Sequence, residues 1–120
     1  MKKSNFKNNF KINNIVKTES GDITANIKIP DNSPWFDGHF PNDPILPGVA
    51  QLSMVFDILK GALNTKIQIY SFSRVRFKQI IKPSDNLDFI IIPCKTKSGQ
   101  FSFQVYCKGE IVLTGVINIK

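Results

Sequence analysis

Only one stretch of this sequence has the periodicity of a helix, and that constrains the fold more than any other feature. Between Gly48 and Leu63, apolar side chains recur at spacings of three and four residues: Val49, Leu52, Val55, Phe56, Leu59 and Leu63. Pro47 suits the start of such a helix, and Asn64 suits its end. Because a lone helix cannot bury its own apolar stripe, it must pack on a sheet.

The other apolar segments have the composition or the two-residue alternation of strands. A hairpin is expected first, from residues 10–17 and 22–29, and four strands follow the helix, at residues 67–81, 86–96, 100–107 and 110–119. The dipeptides Ser98-Gly99 and Lys108-Gly109 fall where tight turns join consecutive strands. The expected fold class is α+β, with one antiparallel sheet and one helix in a single domain spanning residues 1–120.

The net charge of +7 comes almost entirely from lysine. A solvated surface explains such scattered lysines, and attraction to an acidic carrier protein, a nucleic acid or an anionic membrane is the alternative. No apolar run has the length of a signal peptide core or a membrane span, so a cytoplasmic location is expected. Cys94 and Cys107 lack the spacing of a metal or redox motif and are expected to be buried free thiols.

Residues 30–47 hold five of the seven prolines, so this segment should be extended and stiff. It contains the only histidine, His39, within the run GHFPNDPILPGVAQL. A titratable group held rigidly beside a helix start suits a catalytic site. A histidine hydrogen-bonded for structure within a loop is the alternative at this point.

The positions around this histidine resemble the signature of the 3-hydroxyacyl-acyl-carrier-protein dehydratases of fatty-acid synthesis: His39, Phe40, Pro41, Pro44, Pro47, Gly48 and Val49. The run PILPGVAQL is most similar to the aryl-polyene branch of that family. A second run, SRVRFKQIIKPSDNLDF at residues 73–89, resembles the strand, Pro-x-Asp turn and strand that follow the family's central helix. The resemblance extends over about residues 36–92.

This resemblance implies a hotdog fold, in which an antiparallel sheet wraps around one central helix. It also implies a homodimer whose active sites lie at the interface, with an acidic acyl carrier protein delivering the substrate. The acyl chain occupies a tunnel between protomers, near the loop histidine of one subunit and a helix carboxylate of the other. The family uses neither a metal nor an organic cofactor.

Dehydration of a 3-hydroxyacyl thioester needs a base, an acid and a group that stabilises the enolate oxygen. His39 is the candidate base, since an imidazole has an ordinary pKa of about 6.5. The backbone N–H groups of Gly48 and Val49, at the positive end of the helix, are candidates for polarising the thioester carbonyl. Phe40 and Pro47 complete the candidate substrate-binding residues.

The sequence departs from the family at the acid. The helix carboxylate should follow the histidine by fourteen residues, and that position is Ser53. A serine hydroxyl is a poor proton donor at neutral pH, although it can bind a substrate or a water. Asp57 lies one turn further along the same helix and is the candidate substitute, with a solvated or interfacial charge as the alternative.

Four functions follow from these residues. The first is a carrier-protein-dependent 3-hydroxyacyl dehydratase, a hydro-lyase. The second, favoured by Ser53, is a non-catalytic hotdog that binds acyl thioesters or completes a heteromeric dehydratase. A hotdog thioesterase is the third, and such enzymes generally lack the His-Phe-Pro signature. Nucleic-acid binding is the last, and the ordinary two-faced alternation of the strand counts against it; its candidate residues are Arg74, Arg76 and Lys78 with Phe72 and Phe77.

Overall fold

The computed structural model describes residues 11–31 and 45–120, which form six strands and one helix. His39 and Phe40 lie outside the described residues. The elements in chain order are β1 (Ile12–Lys17), β2 (Ile23–Lys28), α1 (Gly48–Leu63), β3 (Ile69–Phe77), β4 (Asn86–Pro93), β5 (Gln100–Cys107) and β6 (Glu110–Ile119). This is the expected α+β architecture.

All six strands belong to one antiparallel sheet with the order β1-β2-β4-β5-β6-β3. The strands β1 and β3 are therefore its edges. The helix buries one side against the inner face of the sheet, and the shared core contains Met54, Val55, Ile58, Leu59, Ile23, Ile27, Leu87, Phe89, Ile91, Phe103, Val105, Leu113 and Ile117. In β5 the burial alternates as expected, with Phe101, Phe103 and Val105 inward and Ser102 outward.

Both edge strands contain a β-bulge, which the sequence pattern did not reveal. Asn14 has φ 56° and Arg74 has φ 54°, and the pairing register shifts at each of these places. A bulge inserts one unpaired residue, so the side chains beyond it change face. Bulges also twist an edge strand, which makes it a poor template for unspecific pairing.

Two strands end earlier than predicted. The strand expected over residues 67–81 covers only Ile69–Phe77, and the strand expected over 86–96 ends at Pro93. Between β3 and β4 the chain turns at residues 82–85, where the Asp85 carboxylate accepts a hydrogen bond from the backbone N–H of Lys82 at 2.8 Å. After β4 the backbone N–H of Cys94 still bonds the Gln100 carbonyl, and a turn to β5 begins.

The prediction of two buried thiols is wrong, because Cys94 and Cys107 are both free cysteines at intermediate exposure. Cys94 follows the last residue of β4, and Cys107 is the last residue of β5, so each lies where the sheet meets solvent. A hydrogen bond from Thr96 lowers the pKa of the Cys94 thiol. Partial burial raises the pKa of Cys107.

Candidate functional site

The helix α1 begins without a side-chain cap. Pro47 occupies the N-cap position in an extended conformation, and its carbonyl accepts the N–H groups of Ala50 at 3.1 Å and Gln51 at 3.2 Å. Gly48 and Val49 therefore supply the first N–H groups of the helix, which have no acceptor in a preceding turn. Val49 is 65% exposed. These two N–H groups can bind a carbonyl oxygen that carries developing negative charge.

Gly48 lies in close contact with the end of β3. A β-carbon built on Gly48 would lie 2.7 Å from Cζ of Phe77, so the aromatic ring occupies the space that any other side chain would need. The Phe77 side chain is itself 50% exposed. One side of the Phe77 ring therefore packs against the helix start, and the other side is exposed to solvent.

Two hydrogen bonds fasten the chain just before the helix. The backbone N–H of Leu46 donates to the carbonyl of Ile81 at 2.8 Å, and the Leu46 carbonyl accepts from Nε2 of Gln51 at 3.1 Å. Leu46 is fully buried. The carboxyl end of the proline-rich segment, which carries His39 seven residues earlier, is thus fixed to both the helix and the chain that follows β3.

The structure places Ser53 on the side of α1 that points away from the core. Ser53 is half-buried and lies one turn from Val49 and nearly one turn from Phe56, neither of which is buried. The buried residues Gln51, Val55 and Ile58 define the opposite side. Ser53 is also about 7.5 Å along the helix axis from Gly48.

Asp57 occupies a different environment. It lines a cavity of about 530 Å³ at the carboxyl end of the helix, together with Ile12, Lys60, Gly61, Asn64, Thr65 and Lys66. One of its carboxylate oxygens, Oδ2, is shielded from solvent. Asp57 lies about 13 Å along the axis from Gly48, so a substrate carbonyl at the helix start is nearer to Ser53 than to Asp57.

Gln51 and Phe77 are contributors to this site that the sequence reasoning missed. A signal for Gln51 was present, since it is a polar residue on the helix side that is otherwise apolar. No local pattern marked Phe77, because its role depends on the end of β3 reaching the helix start.

In residues 11–31 and 45–120, no cluster of three or more His, Cys, Asp or Glu side chains could hold a metal ion. Within the same residues, no helix is both long and apolar enough to cross a membrane.

Comparison with known proteins identifies the family. The model of the ApeI-like family, described as ApeI dehydratase, matches residues 15–116. The chain belongs to the ApeI-like dehydratase family. It is 32% identical over 114 residues to the 3-hydroxyacyl-[acyl-carrier-protein] dehydratase FabZ of Caldicellulosiruptor bescii, with 87% of this chain and 81% of that protein covered. The FabZ of Idiomarina loihiensis is 31% identical over 121 residues, covering 84% of this chain and 80% of the relative.

Solved structures agree on the fold of this ApeI-like family member. The dehydratase heterocomplex ApeI:P from Xenorhabdus doucetiae contains a chain that superposes with a TM-score of 0.81 at 22% identity, covering 92% of this chain and 96% of that one. The (R)-hydratase from A. caviae superposes with a TM-score of 0.63 at 15% identity, covering 84% and 94%. The predicted hotdog fold and the predicted dehydratase-like, hydro-lyase family are therefore confirmed.

Proposed function

We propose that this chain interconverts a 3-hydroxyacyl thioester and its trans-2-enoyl thioester, as a hydro-lyase of fatty-acid or polyene-type lipid synthesis. The observation that carries the proposal is the uncapped start of helix α1, in a chain that belongs to the ApeI-like dehydratase family. Gly48 and Val49 present N–H groups without a side-chain cap, and Leu46 and Phe77 hold that helix start in place.

In the proposed reaction, His39 removes a proton from C2 of the acyl chain. The electron pair moves toward the thioester carbonyl, whose oxygen gains charge and is stabilised by the N–H groups of Gly48 and Val49. The C3–O bond then breaks as the hydroxyl takes a proton, which gives water and the enoyl thioester. Phe40 and Pro47 are the further residues that we propose for binding the substrate.

The proton for the leaving hydroxyl is best delivered from the Ser53 position. Ser53 lies on the open side of the helix and close to its start, whereas Asp57 lies in the cavity at the other end. A hydroxyl is a weak acid, so Ser53 would act by hydrogen-bonding the substrate hydroxyl or by holding a water that passes on the proton. We therefore rank Asp57 second as the substitute acid.

The edge strand β3 supports a homodimer with active sites at its interface. It pairs with only one neighbouring strand in the part of the chain that the structure describes, and Tyr70 on it is 70% exposed. Ile69 and Phe77 are also exposed large apolar side chains on this strand. An open apolar edge needs covering, and a second copy of β3 pairing with it would do so while placing Phe77 near the partner.

The proposed carrier of the substrate is an acidic acyl carrier protein. The proposed location of the reaction is the cytoplasm, and residues 1–120 are proposed to form one domain. The net charge of +7 favours an acidic partner electrostatically. Arg74, Arg76 and Lys78 are exposed at and after the β3 edge, close in sequence to Phe77. The mechanism requires neither a metal nor an organic cofactor.

A heteromeric dehydratase subunit is the second candidate, and Ser53 at the family's acid position is the observation that favours it. The similar structure from Xenorhabdus doucetiae is the dehydratase heterocomplex ApeI:P. If this chain works in the same way, it supplies His39 and the helix start, and a different subunit supplies the carboxylate.

The test is incubation of the purified chain with 3-hydroxyacyl and trans-2-enoyl thioesters, followed by measurement of both species and of free thiol. Interconversion without thiol release is expected for a dehydratase. Thiol release would instead identify a thioesterase. If neither reaction occurs and activity appears only with a second dehydratase chain, the heteromeric function is correct.

A further inference from the structure

The side chains of β3 change their alternation partway along the strand. Phe72 pairs with the buried Ile117, and Phe77 pairs with the buried Leu113, so both phenylalanine side chains lie on the inner face of the sheet. The two phenylalanines are five residues apart. In a regular strand, residues separated by an odd number of positions face opposite sides. An extra residue must therefore lie between them.

The extra residue is at the bulge of Arg74. Between the paired residues Ser73 and Arg76, β3 advances by three residues while β6 advances by two. Arg74 has φ 54°, in the left-handed region. The bulge of the other edge strand has Asn14 in this conformation, and asparagine adopts it more readily than arginine does. The bulge in β3 is therefore the more strained of the two.

This strained bulge decides which side chain of β3 meets the helix. Strict alternation from Phe72 would place Arg76 on the inner face and would turn Phe77 outward. With the bulge, Arg76 is exposed and the ring of Phe77 packs against Gly48. Strained residues persist where the surrounding structure fixes them, and they concentrate at functional sites.

We propose that Arg74 is a positioning residue, whose bulge holds Phe77 against the helix start and so keeps the N–H groups of Gly48 and Val49 in place for a thioester carbonyl. The inference rests on the proposed function. Because the helix start has no side-chain cap, its contact with the Phe77 ring is one of the few that fix it. A displacement of about 1 Å at a reacting group can greatly lower a rate.

The proposed role of Arg74 depends on its backbone conformation and not on its charge. An electrostatic role would act on an acidic carrier protein and would be lost in any uncharged variant. A conformational role would act equally on a small thioester and would be retained by residues that accept a positive φ. The two roles therefore predict different results for variants that remove the same charge.

Arg74→Gly and Arg74→Val are such a pair. Glycine accepts a positive φ, whereas valine, which is branched at Cβ, strongly disfavours it. The substrate is the 3-hydroxybutanoyl thioester of N-acetylcysteamine, which has no carrier protein. Arg74→Val should lower kcat about tenfold with KM changed by less than about twofold, and Arg74→Gly should keep kcat within about twofold of the unaltered chain. Equal values of kcat in the two variants would overturn the proposal.

A second pair covers the case in which Arg74→Val does not fold. Arg74→Asn introduces a residue that accepts the left-handed conformation, and Arg74→Ala introduces one that disfavours it. Arg74→Asn should keep the rate, whereas Arg74→Ala should lower kcat about threefold, and equal rates would again contradict the positioning role. Ser73→Val is the matched control, because it places valine at the neighbouring exposed position, where φ is not positive. It should leave the rate unaltered.

The contact itself is measured by NMR. A nuclear Overhauser effect between the Hα protons of Gly48 and the ring protons of Phe77 is expected in the unaltered chain and in Arg74→Gly. It should be weak or absent in Arg74→Val. An Overhauser effect of unchanged strength in Arg74→Val would overturn the proposal, because the position of the ring would then not depend on the residue at the bulge.

A titration without turnover separates this inference from the proposed catalysis. The butanoyl thioester of N-acetylcysteamine has no 3-hydroxyl group, so it cannot be dehydrated, but its carbonyl can still bind. It should shift the backbone N–H resonances of Gly48 and Val49 in the unaltered chain and in Arg74→Gly, and much less in Arg74→Val. No shift in the unaltered chain, or equal shifts in the two variants, would overturn the proposal.

The two proposals can therefore fail separately. The expected shifts in a chain without dehydratase activity would support the positioning role of Arg74 and refute the catalytic function. Dehydration at equal rates in all the Arg74 variants would support the catalytic function and refute the positioning role.

Discussion

The two ends of helix α1 are built in different ways. At the carboxyl end, Asn64 takes the left-handed conformation, with φ 52°, and its backbone N–H bonds the Lys60 carbonyl at 3.1 Å. Both partners of this hydrogen bond lie within the five residues from Lys60 to Asn64. At the amino end there is no side-chain cap, and the helix start is held by Leu46, Gln51 and Phe77.

This difference suggests separate roles for the two ends of the helix, one in stability and the other in the reaction. At the carboxyl end the Asn64 N–H already occupies the Lys60 carbonyl, whereas the amino end keeps the N–H groups of Gly48 and Val49 available to a ligand. The amino end should therefore carry the reaction, and the carboxyl end, with Asp57 beside it, should carry stability. The following predictions test that division, from the largest expected effect to the smallest.

Replacing His39 should have the largest effect on rate. His39→Ala removes the proposed base and should lower kcat/KM for dehydration about a hundred- to ten-thousand-fold. The melting temperature should change little, since the sequence predicts that His39 belongs to an extended segment and not to the core. A large fall in melting temperature together with the loss of rate would instead indicate a structural histidine.

Placing a carboxylic acid at position 53 should raise the rate of dehydration. If Ser53 stands where the proton is delivered, Ser53→Glu should increase dehydration at least tenfold by supplying a positioned carboxylic acid. Asp57→Asn, at the other end of the helix, should change the rate less than threefold by the same reasoning. The steady-state rates of both variants are measured against the same 3-hydroxyacyl thioester.

The reverse result is equally clear. If Asp57 already supplies the proton, Asp57→Asn should be nearly inactive, and Ser53→Glu should not help because the added carboxylate repels the existing one. If neither change alters an active parent, this side of the helix does not carry the acid. The contrast between the two helix ends would then be wrong as a guide to the chemistry.

Adding a methyl group at the helix start should test the contact with β3. Gly48→Ala places a β-carbon against the Phe77 ring and should lower the free energy of unfolding by about 1 kcal/mol, because the half-exposed ring can partly move aside. The double variant with Phe77→Leu should recover part of that loss. Chemical denaturation of the single and double variants measures the coupling, and additive losses would show that the two groups do not touch.

The smallest effect on the reaction rate is expected at the carboxyl end. Asn64→Ala puts a residue with a β-carbon into the left-handed conformation, which should cost about 1 kcal/mol of stability and leave the rate unchanged. Asn64→Gly is the control and should be neutral or slightly stabilising. A fall in rate without a fall in stability would show that this end also contributes to function.

Local sequence determined much of the fold. The helix from Gly48 to Leu63 and the strands β5 and β6 have the predicted bounds, because periodicity and turn residues act over a few positions of chain. The same reasoning predicted β3 and β4 to be longer than they are, because the strand-like sequence pattern continues past the last paired residue of each strand. The bulges at Asn14 and Arg74 were also missed, since a bulge depends on the neighbouring strand.

The candidate site divides in the same way. The sequence by itself placed Gly48 and Val49 at a helix start and identified the family through the residues around His39, whose own placement lies outside the described residues. Tertiary structure alone put Phe77 on Gly48, turned the Gln51 amide toward Leu46, and set Ser53 and Asp57 in separate environments. Helical spacing puts residues four apart on one side, but what surrounds each of them is decided by strands that are distant in sequence.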